Sequence, residues 1–525
     1  MTDYLNRLPR NLYTAQQVRL LDKIAIEQFD IPGFTLMQTA ASVAFDALLE
    51  NWPQTRHVQV FAGSGNNAGD GYLLAALAKE QGLSAEVIQL SDPEKLSGDP
   101  RQAWQWALER QVLMTAFVDI DLEHEKDHAH PVVVDALLGT GLDREVGGDY
   151  ARAINFINAA DRPVLAIDIP SGLSADTGRC LGVAVRADTT VTFIGLKQGL
   201  LTNQAGDYVG ELIYHDLDVP DRVFTSDASP QPSAARIDIN STSALLLPRA
   251  VASHKGTHGH VLVIGGDSGF GGAVIMAAEA ALRTGAGLVS VITRSAHRSA
   301  LLARRPEVMV LGTEDEQVDI DGLLARATVI VVGPGLGRSD WSRGLLQRAL
   351  SSQITVGTPL IVDADALQLL AEKHQQGTAK HGTGIKRDNW ILTPHPGEAA
   401  ALLNTSTSAV QDDRFAAVRE LNEIWGGACL IKGSGSLICS TENSQQSIFL
   451  CSEGNAGMAT GGMGDMLSGI VGSLVAQGHS LGDSLCAGVC IHGEAADLSM
   501  QAQGQRGMAA TDLMPFIRQL VNPSR

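Results

Sequence analysis

The chain of 525 residues has no run of about 18 uncharged apolar residues, the length a membrane-crossing helix needs. Its first ten residues, MTDYLNRLPR, are polar and offer no basic-then-apolar leader. These two absences predict a soluble, cytoplasmic protein with no membrane partner. Six cysteines, at 180, 429, 439, 451, 486 and 490, include no C-x-x-C pair and no metal-ligand spacing, so they read as reduced, packed thiols. Basic residues are also scarce: 39 Lys and Arg face 58 Asp and Glu, a net charge of -19. Residues 1–230 hold 17 and 32 of these, a net of -15, which leaves 22 and 26, a net of -4, for the remainder. Neither half carries the basic footprint that displaces counterions from phosphates, which argues against a nucleic-acid partner. The densest acidic stretch, DIDLEHEKDHAH (119–130), contains three histidines. No ligand spacing recurs in it and Pro131 follows at once, so it reads as a solvated loop rather than a metal site.

What is present is alternation. A chain this long exceeds what one hydrophobic core usually serves, so two domains are expected. Strand-like runs at 57–63, 85–90, 131–139, 163–172 and 188–195 are continuously apolar, as in parallel strands buried on both faces. After DVPDRVFTSDASPQPSAAR (218–236), rich in Pro, Ser and Asp, the alternation resumes at 259–267, 287–293, 327–337, 358–367, 389–398 and 428–438. The expected organisation is an α/β domain over 1–222 with a Rossmann-like parallel sheet, a linker over 223–236 and a second α/β domain over 237–525. Ligands of such sheets bind at the carboxyl ends of the strands.

GSGNNAGDGY (63–72) joins a strand to a helix, and Gly63, Gly65 and Ala68 meet the G-x-G-x-x-G/A pattern of dinucleotide sites. That fingerprint also wants an acidic residue closing the second strand, about 20 residues on. Here the second strand ends in Gln89, Leu90 and Ser91. Asn66, Asn67 and Asp70 stand inside the loop itself, and their oxygens suit a cation or hydroxyl ligands as well as a phosphate.

In the second half, GNAGMATGGMGDMLSGIVGSLVAQG (454–478) leads Gly461, Gly462 and Gly464 into Asp465 and an apolar helix. Free backbone N–H groups at a helix start favour an anion, and a carboxylate beside them can take a proton. Phosphoryl transfer needs both. The competing reading makes Asp465 a helix cap.

This stretch resembles the G-x-G-D loop of ribokinase-like enzymes. The ordered set HKGTHGHVLVIGGDSGFGGA, GPGLG, DADAL, LTPHPGE, KGSGS and GMATGGMGD, across 238–522, resembles the nucleotide-dependent dehydratases that repair hydrated NADH and NADPH. The resemblance implies a ribokinase-like second domain in which Lys432, Gly433, Ser434, Gly435, Ser436 and Gly464 hold the adenine nucleotide. It further implies that Ala273, Gly335, His395 and Asp465 meet the hydrated nicotinamide nucleotide, with Asp465 as base. ADP is the implied phosphoryl donor, and magnesium the implied ion, with Glu398 as its nearby carboxylate or else a structural residue.

Residues 10–216 resemble the companion YjeF-like epimerase, which interconverts the R and S hydrates, on GSGNNAGDGY, VVVDALLGTGLDREVGG and AIDIPSGLSADTG. The resemblance implies that Asn66, Asn67, Ala68, Gly69 and Asp70 hold substrate. It implies that Gly139, Thr140, Gly141, Leu142, Asp143, Arg144 and Glu145 wrap its phosphates, that Asn67, Asp135 and Ser171 bind potassium, and that Asp168 is the acid/base. Gln38 stands where the family has glutamate. The substrates implied for the whole chain are NADHX, NADPHX and ADP, and the implied assembly is a homo-oligomer. Two other functions remain to be distinguished. A vitamin or sugar kinase with a regulatory domain would release a stable phosphorylated product. A non-catalytic RNA-decapping scaffold is disfavoured by the retained Asn67, Asp135 and Asp168.

Overall fold

The computed structural model describes residues 8–119, 131–316, 318–375, 386–442 and 445–522. All but the first residue of the acidic stretch 119–130 lies outside the described residues. The chain divides into two units, Met1–Ala235 and Arg236–Arg525.

In the first unit the apolar runs form β1 (His57–Ala62), β2 (Ser84–Gln89), β4 (Val132–Ala136), β5 (Val164–Ile167) and β6 (Thr189–Phe193). Two strands that the sequence did not announce, β3 (Leu113–Ala116) and β7 (Glu211–His215), close the edges. Both are largely half-exposed, so neither needs the continuous apolar run that marks a central strand. All seven run parallel in the order β3-β2-β1-β4-β5-β6-β7. The order reverses between β1 and β4, which opens a crevice at their carboxyl ends. Helices α1 (Ala15–Gln28), α2 (Gly33–Asn51) and α3 (Asn66–Glu80) belong to this unit's core. Gly63 permits the crossing at the switch point, because a Cβ there would lie 1.9 Å from the Leu137 carbonyl oxygen.

The segment 218–236 is not a bare linker. Its apolar residues find partners: Arg222–Thr225 makes a helical turn with Val223 buried in the first unit's core. Ala234–Ile237 is a strand whose first two residues pair antiparallel with Asn11 and Leu12.

The second unit holds β8 (His260–Ile264), β9 (Leu288–Thr293), β10 (Met309–Gly312), β11 (Val329–Val332), β12 (Leu360–Val362), β13 (Trp390–Leu392), β14 (Ala428–Ile431), β15 (Ser436–Glu442) and β16 (Gln445–Cys451). Their order is β10-β9-β8-β11-β12-β13-β14-β15-β16, parallel as far as β14 and antiparallel beyond it. The run 428–438 therefore is two strands rather than one. Gly433 and Gly435, at φ 145° and 63°, reverse the chain between them. Four helices bear on the site: α4 (Gly271–Thr284), α5 (Pro396–Leu403), α6 (Met463–Ala476) and α7 (Leu481–Gln503). Helix α6 crosses α4 so closely that a Cβ at Gly469 would lie 2.1 Å from the Ala277 carbonyl oxygen. Among the described residues no helix is long and apolar enough to cross a membrane.

Candidate active sites

At the switch point of the first unit a cavity of about 660 Å³ is lined by Asn66, Asn67, Asp70, Gly139 to Arg144, Asp168 and Lys197, with Asp22 from α1. Ala68 and Gly69 are packed into the base of α3, where a Cβ on Gly69 would meet Met37. Glu145 and Gln38 are not among the lining residues.

Asp135 closes β4 with no exposure. Its Oδ1 accepts from Ser171 Oγ at 2.6 Å and Leu137 N at 3.2 Å, and its Oδ2 accepts from Ser171 N at 2.7 Å. Burial pushes its pKa up to about 6 against these bonds. Asn67 donates Nδ2–H to the Leu138 carbonyl at 3.0 Å, while its buried Oδ1 has no partner among the described residues. A buried acceptor without a donor is costly, so an unpartnered amide oxygen beside the Asp135–Ser171 pair fits a cation ligand.

Asp168 follows β5 in the left-handed region, φ 68°, which a non-glycine residue adopts only under constraint. Its Oδ1 is ion-paired to Lys197 Nζ. The lysine side chain is 1% exposed and the aspartate 19%, so the carboxylate is the more exposed partner in the cavity wall. Lys197 Nζ also donates to Thr192 Oγ1 and to the Phe193 carbonyl, both at 3.0 Å. Burial raises Asp70 well above the carboxylate range, with Asp168 and Asp22 adding to it. Burial also pushes Asp22 up to about 6, although Lys197 opposes it. Sequence reasoning missed Lys197 and Asp22. The signal for Lys197 was a lone lysine inside the apolar stretch VTFIGLKQGLL.

In the second unit the corresponding centre is Asp363, at the end of β12. Its Oδ1 accepts from Lys432 Nζ and Thr393 Oγ1, both at 2.8 Å, and its Oδ2 from Ser468 Oγ at 2.6 Å. These partners outweigh burial and hold its pKa low. Here exposure is reversed: Asp363 is 1% exposed and Lys432 21%. A Cβ on Gly464 would lie 3.2 Å from Lys432 Nζ, so the loop 461–465 and the lysine adjoin. The buried Arg414 donates Nη1–H to the Ser434 carbonyl at 2.5 Å and Nη2–H to those of Ile431 and Lys432, which fixes the loop 432–436.

Asp465 is the third residue of α6. The N-cap is Gly462, at φ 92°, and makes no side-chain capping bond, so the cap reading of Asp465 fails. Burial, then Asp363, push Asp465 up to about 7, with Lys432 opposing. Glu398 lies 3.9 Å from Lys432 Nζ, and its Oε2 also accepts from His395 N at 2.8 Å in a capping box. It is thus both a helix cap and a member of the charged cluster. His395 is the N-cap of α5, its Nδ1 accepting from Gly397 N and Glu398 N. A Cβ on Gly335, at φ 55°, would lie 3.0 Å from Ala273 Cβ, so those two sequence-predicted residues adjoin. Asp363, Thr393, Ser468 and Arg414 were not singled out from sequence. Only Asp363 announced itself, as the first polar residue after the run LIV.

The two units thus define a protein with a carboxylate-lined crevice in one α/β unit and a phosphate-type loop beside a lysine in the other. Residues 33–199 match the family of the YjeF-related protein N-terminus, and residues 261–519 match the NAD(P)H-hydrate dehydratase family. The bifunctional NAD(P)H-hydrate repair enzyme Nnr of Coxiella burnetii is 44% identical over 98% of this chain and 99% of its own. The enzyme of the same name from Escherichia coli is 38% identical over 100% of this chain and 97% of its own. Among solved structures, an ADP/ATP-dependent NAD(P)H-hydrate dehydratase of Bacillus subtilis, co-crystallised with ATP and Mg2+, aligns at 24% identity and TM-score 0.46 over 54% of this chain and 95% of its own. The chain belongs to the family of bifunctional NAD(P)H-hydrate repair enzymes, with an epimerase and a dehydratase in one polypeptide.

Proposed function

We propose that each crevice carries one of the two activities, and that Asp465 and Asp168 are their respective acid/base groups. The observation that carries the dehydratase assignment is Asp465 itself, raised to about 7, uncapped, and next to Lys432 at the start of α6.

In the hydrate a hydroxyl sits on C6 of the nicotinamide ring and is a poor leaving group. Asp465 takes its proton as the oxygen attacks the terminal phosphorus of ADP. One P–O bond forms, the other breaks, and AMP leaves. The ring-nitrogen lone pair then expels phosphate from C6, and loss of a proton from C5 restores the dihydropyridine. Lys432 and the 461–464 amides offset the charge on the transferred group. Gly433 to Ser436 would hold the rest of the nucleotide, and Ala273, Gly335 and His395 the hydrate. Magnesium fits the carboxylate side of this cluster at Glu398, where it would supply charge for the phosphates.

In the first unit, Asp168 moves a proton at the hydroxyl or ring nitrogen of the carbinolamine carbon, whose configuration inverts. Lys197 holds that carboxylate in position, and 139–145 would wrap the substrate phosphates. Potassium fits Asn67 Oδ1, Asp135 and Ser171, because amide, hydroxyl and a single carboxylate oxygen suit a large monovalent ion better than magnesium. It would add positive charge near those phosphates.

The test is to incubate the purified chain with mixed R and S hydrates, with and without ADP. Without ADP the epimers equilibrate and no phosphate appears. With ADP both are consumed, with one AMP and one phosphate per NADH or NADPH formed. A stable phosphorylated product in place of NADH would overturn the reading.

A further inference from the structure

Two cysteines that are 39 residues apart in sequence meet beside a glutamate at one edge of the second unit. Cys451 ends β16, Glu453 follows it, and Cys490 lies mid-way along α7. Cys490 Sγ is 3.7 Å from Cys451 Sγ, Cys451 Sγ is 3.6 Å from Glu453 Oε2, and the three ligand atoms lie within 4.8 Å of one another. Both thiols are buried and the carboxylate is half-buried. The other carboxylate oxygen accepts from Ile239 N at 2.7 Å, which orients the side chain and leaves Oε2 turned to the sulfurs.

We propose that Cys451, Cys490 and Glu453 form a binding site for a thiophilic divalent cation of the zinc type, separate from the nucleotide-side cluster. The geometry carries it. With Zn–S about 2.3 Å and Zn–O about 2.0–2.2 Å at tetrahedral angles, the sulfur–sulfur edge is about 3.8 Å and the sulfur–oxygen edge about 3.6 Å. The two distances in the structure match those edges, and the third pair of ligand atoms lies within 4.8 Å. Two soft sulfurs and one oxygen select zinc over magnesium or calcium, which take oxygen ligands alone. Three protein ligands leave the fourth position to water. On binding, two thiols become thiolates and the carboxyl of Glu453, pushed up to about 8 by burial, gives up its proton, so up to three protons leave as three metal bonds form.

The site sits where it can matter. Cys451 and Glu453 immediately precede Gly454 and Asn455, which are held by Asp497 of α7 and lead into the 461–465 loop. A metal here ties the end of β16 to α7 just ahead of the phosphate-binding turn.

Cobalt(II) titration of the full chain, kept reduced with a phosphine, tests this. The expected result is one equivalent of Co2+ with a thiolate-to-cobalt charge-transfer band, displaced by Zn2+, and a Tm that rises with Zn2+. Cys451→Ser and Cys490→Ser should each abolish the band. Glu453→Gln, nearly isosteric, should weaken binding by at least about tenfold, since even outer-shell changes cost about 10–100-fold. Cys486→Ser should leave it unchanged. Absence of the band at one equivalent, or its persistence in Cys490→Ser, overturns the proposal, as does a Cys451–Cys490 disulfide that persists under the phosphine.

Discussion

Each unit places a lysine against an aspartate at a strand end, but with opposite faces outward. In the first unit Lys197 is the buried partner and Asp168 opens to the cavity; in the second Asp363 is buried and Lys432 is the more exposed. The same ion pair therefore offers a proton acceptor on one side of the chain and a fixed cation on the other. Inverting a carbinolamine carbon needs the first, and transferring a phosphoryl group needs the second. The base proposed for the second unit is Asp465, one of two carboxylates, with Glu398, that burial raises beside that cation.

The sharpest way to break the comparison is Asp465→Asn. The amide keeps the shape but cannot take a proton, so phosphate release from pure S hydrate with ADP should fall about 10²- to 10⁴-fold, roughly 3 to 5 kcal/mol of barrier. R/S equilibration should continue at the unmodified rate. Lys432→Met should also cost stability, because it leaves Asp363 buried with only the Thr393 and Ser468 hydroxyls. Denaturant unfolding of the second unit should show a loss of about 3–5 kcal/mol, along with a large fall in phosphate release.

The ion is tested by Asp135→Ala, which should lower epimerisation by about tenfold or more and remove its dependence on potassium over sodium. ADP-dependent dehydration of S hydrate should stay within about twofold, and equal loss of both activities in a folded variant would contradict the assignment. A smaller effect is expected from pH. A base must be unprotonated, and Asp465 in the nucleotide-free protein titrates at about 7. The dehydratase kcat/KM should therefore be full above neutrality and fall about tenfold per unit as pH drops below 7. A profile flat down to pH 5 would assign the base elsewhere.

Much of the frame was legible because buried parallel strands need unbroken apolar runs, and their polar ends mark the crevice. Asn67, Asp135, Asp168, Lys432 and Asp465 all stand at such ends or at the helix starts that follow them. What escaped was of two kinds. Edge strands such as Leu113–Ala116 and Glu211–His215 are half-exposed and carry no such run, and the 428–438 run concealed a reversal at Gly433 and Gly435. Residues that work through another residue were also silent. Lys197 and Arg414 act on groups 29 and about 20 residues away, which only the folded chain brings together. The meeting of Cys451 with Cys490 is of the same kind.

The central claim is that the outward-facing carboxylate of the first unit does the epimerisation and nothing in the second. The measurement is phosphate release by folded, full-length Asp168→Asn, given pure R hydrate or pure S hydrate with ADP. The S hydrate should be consumed at the unmodified rate, and the R hydrate should release almost no phosphate. Consumption of R hydrate at the unmodified rate, or loss of turnover on S hydrate, would contradict it.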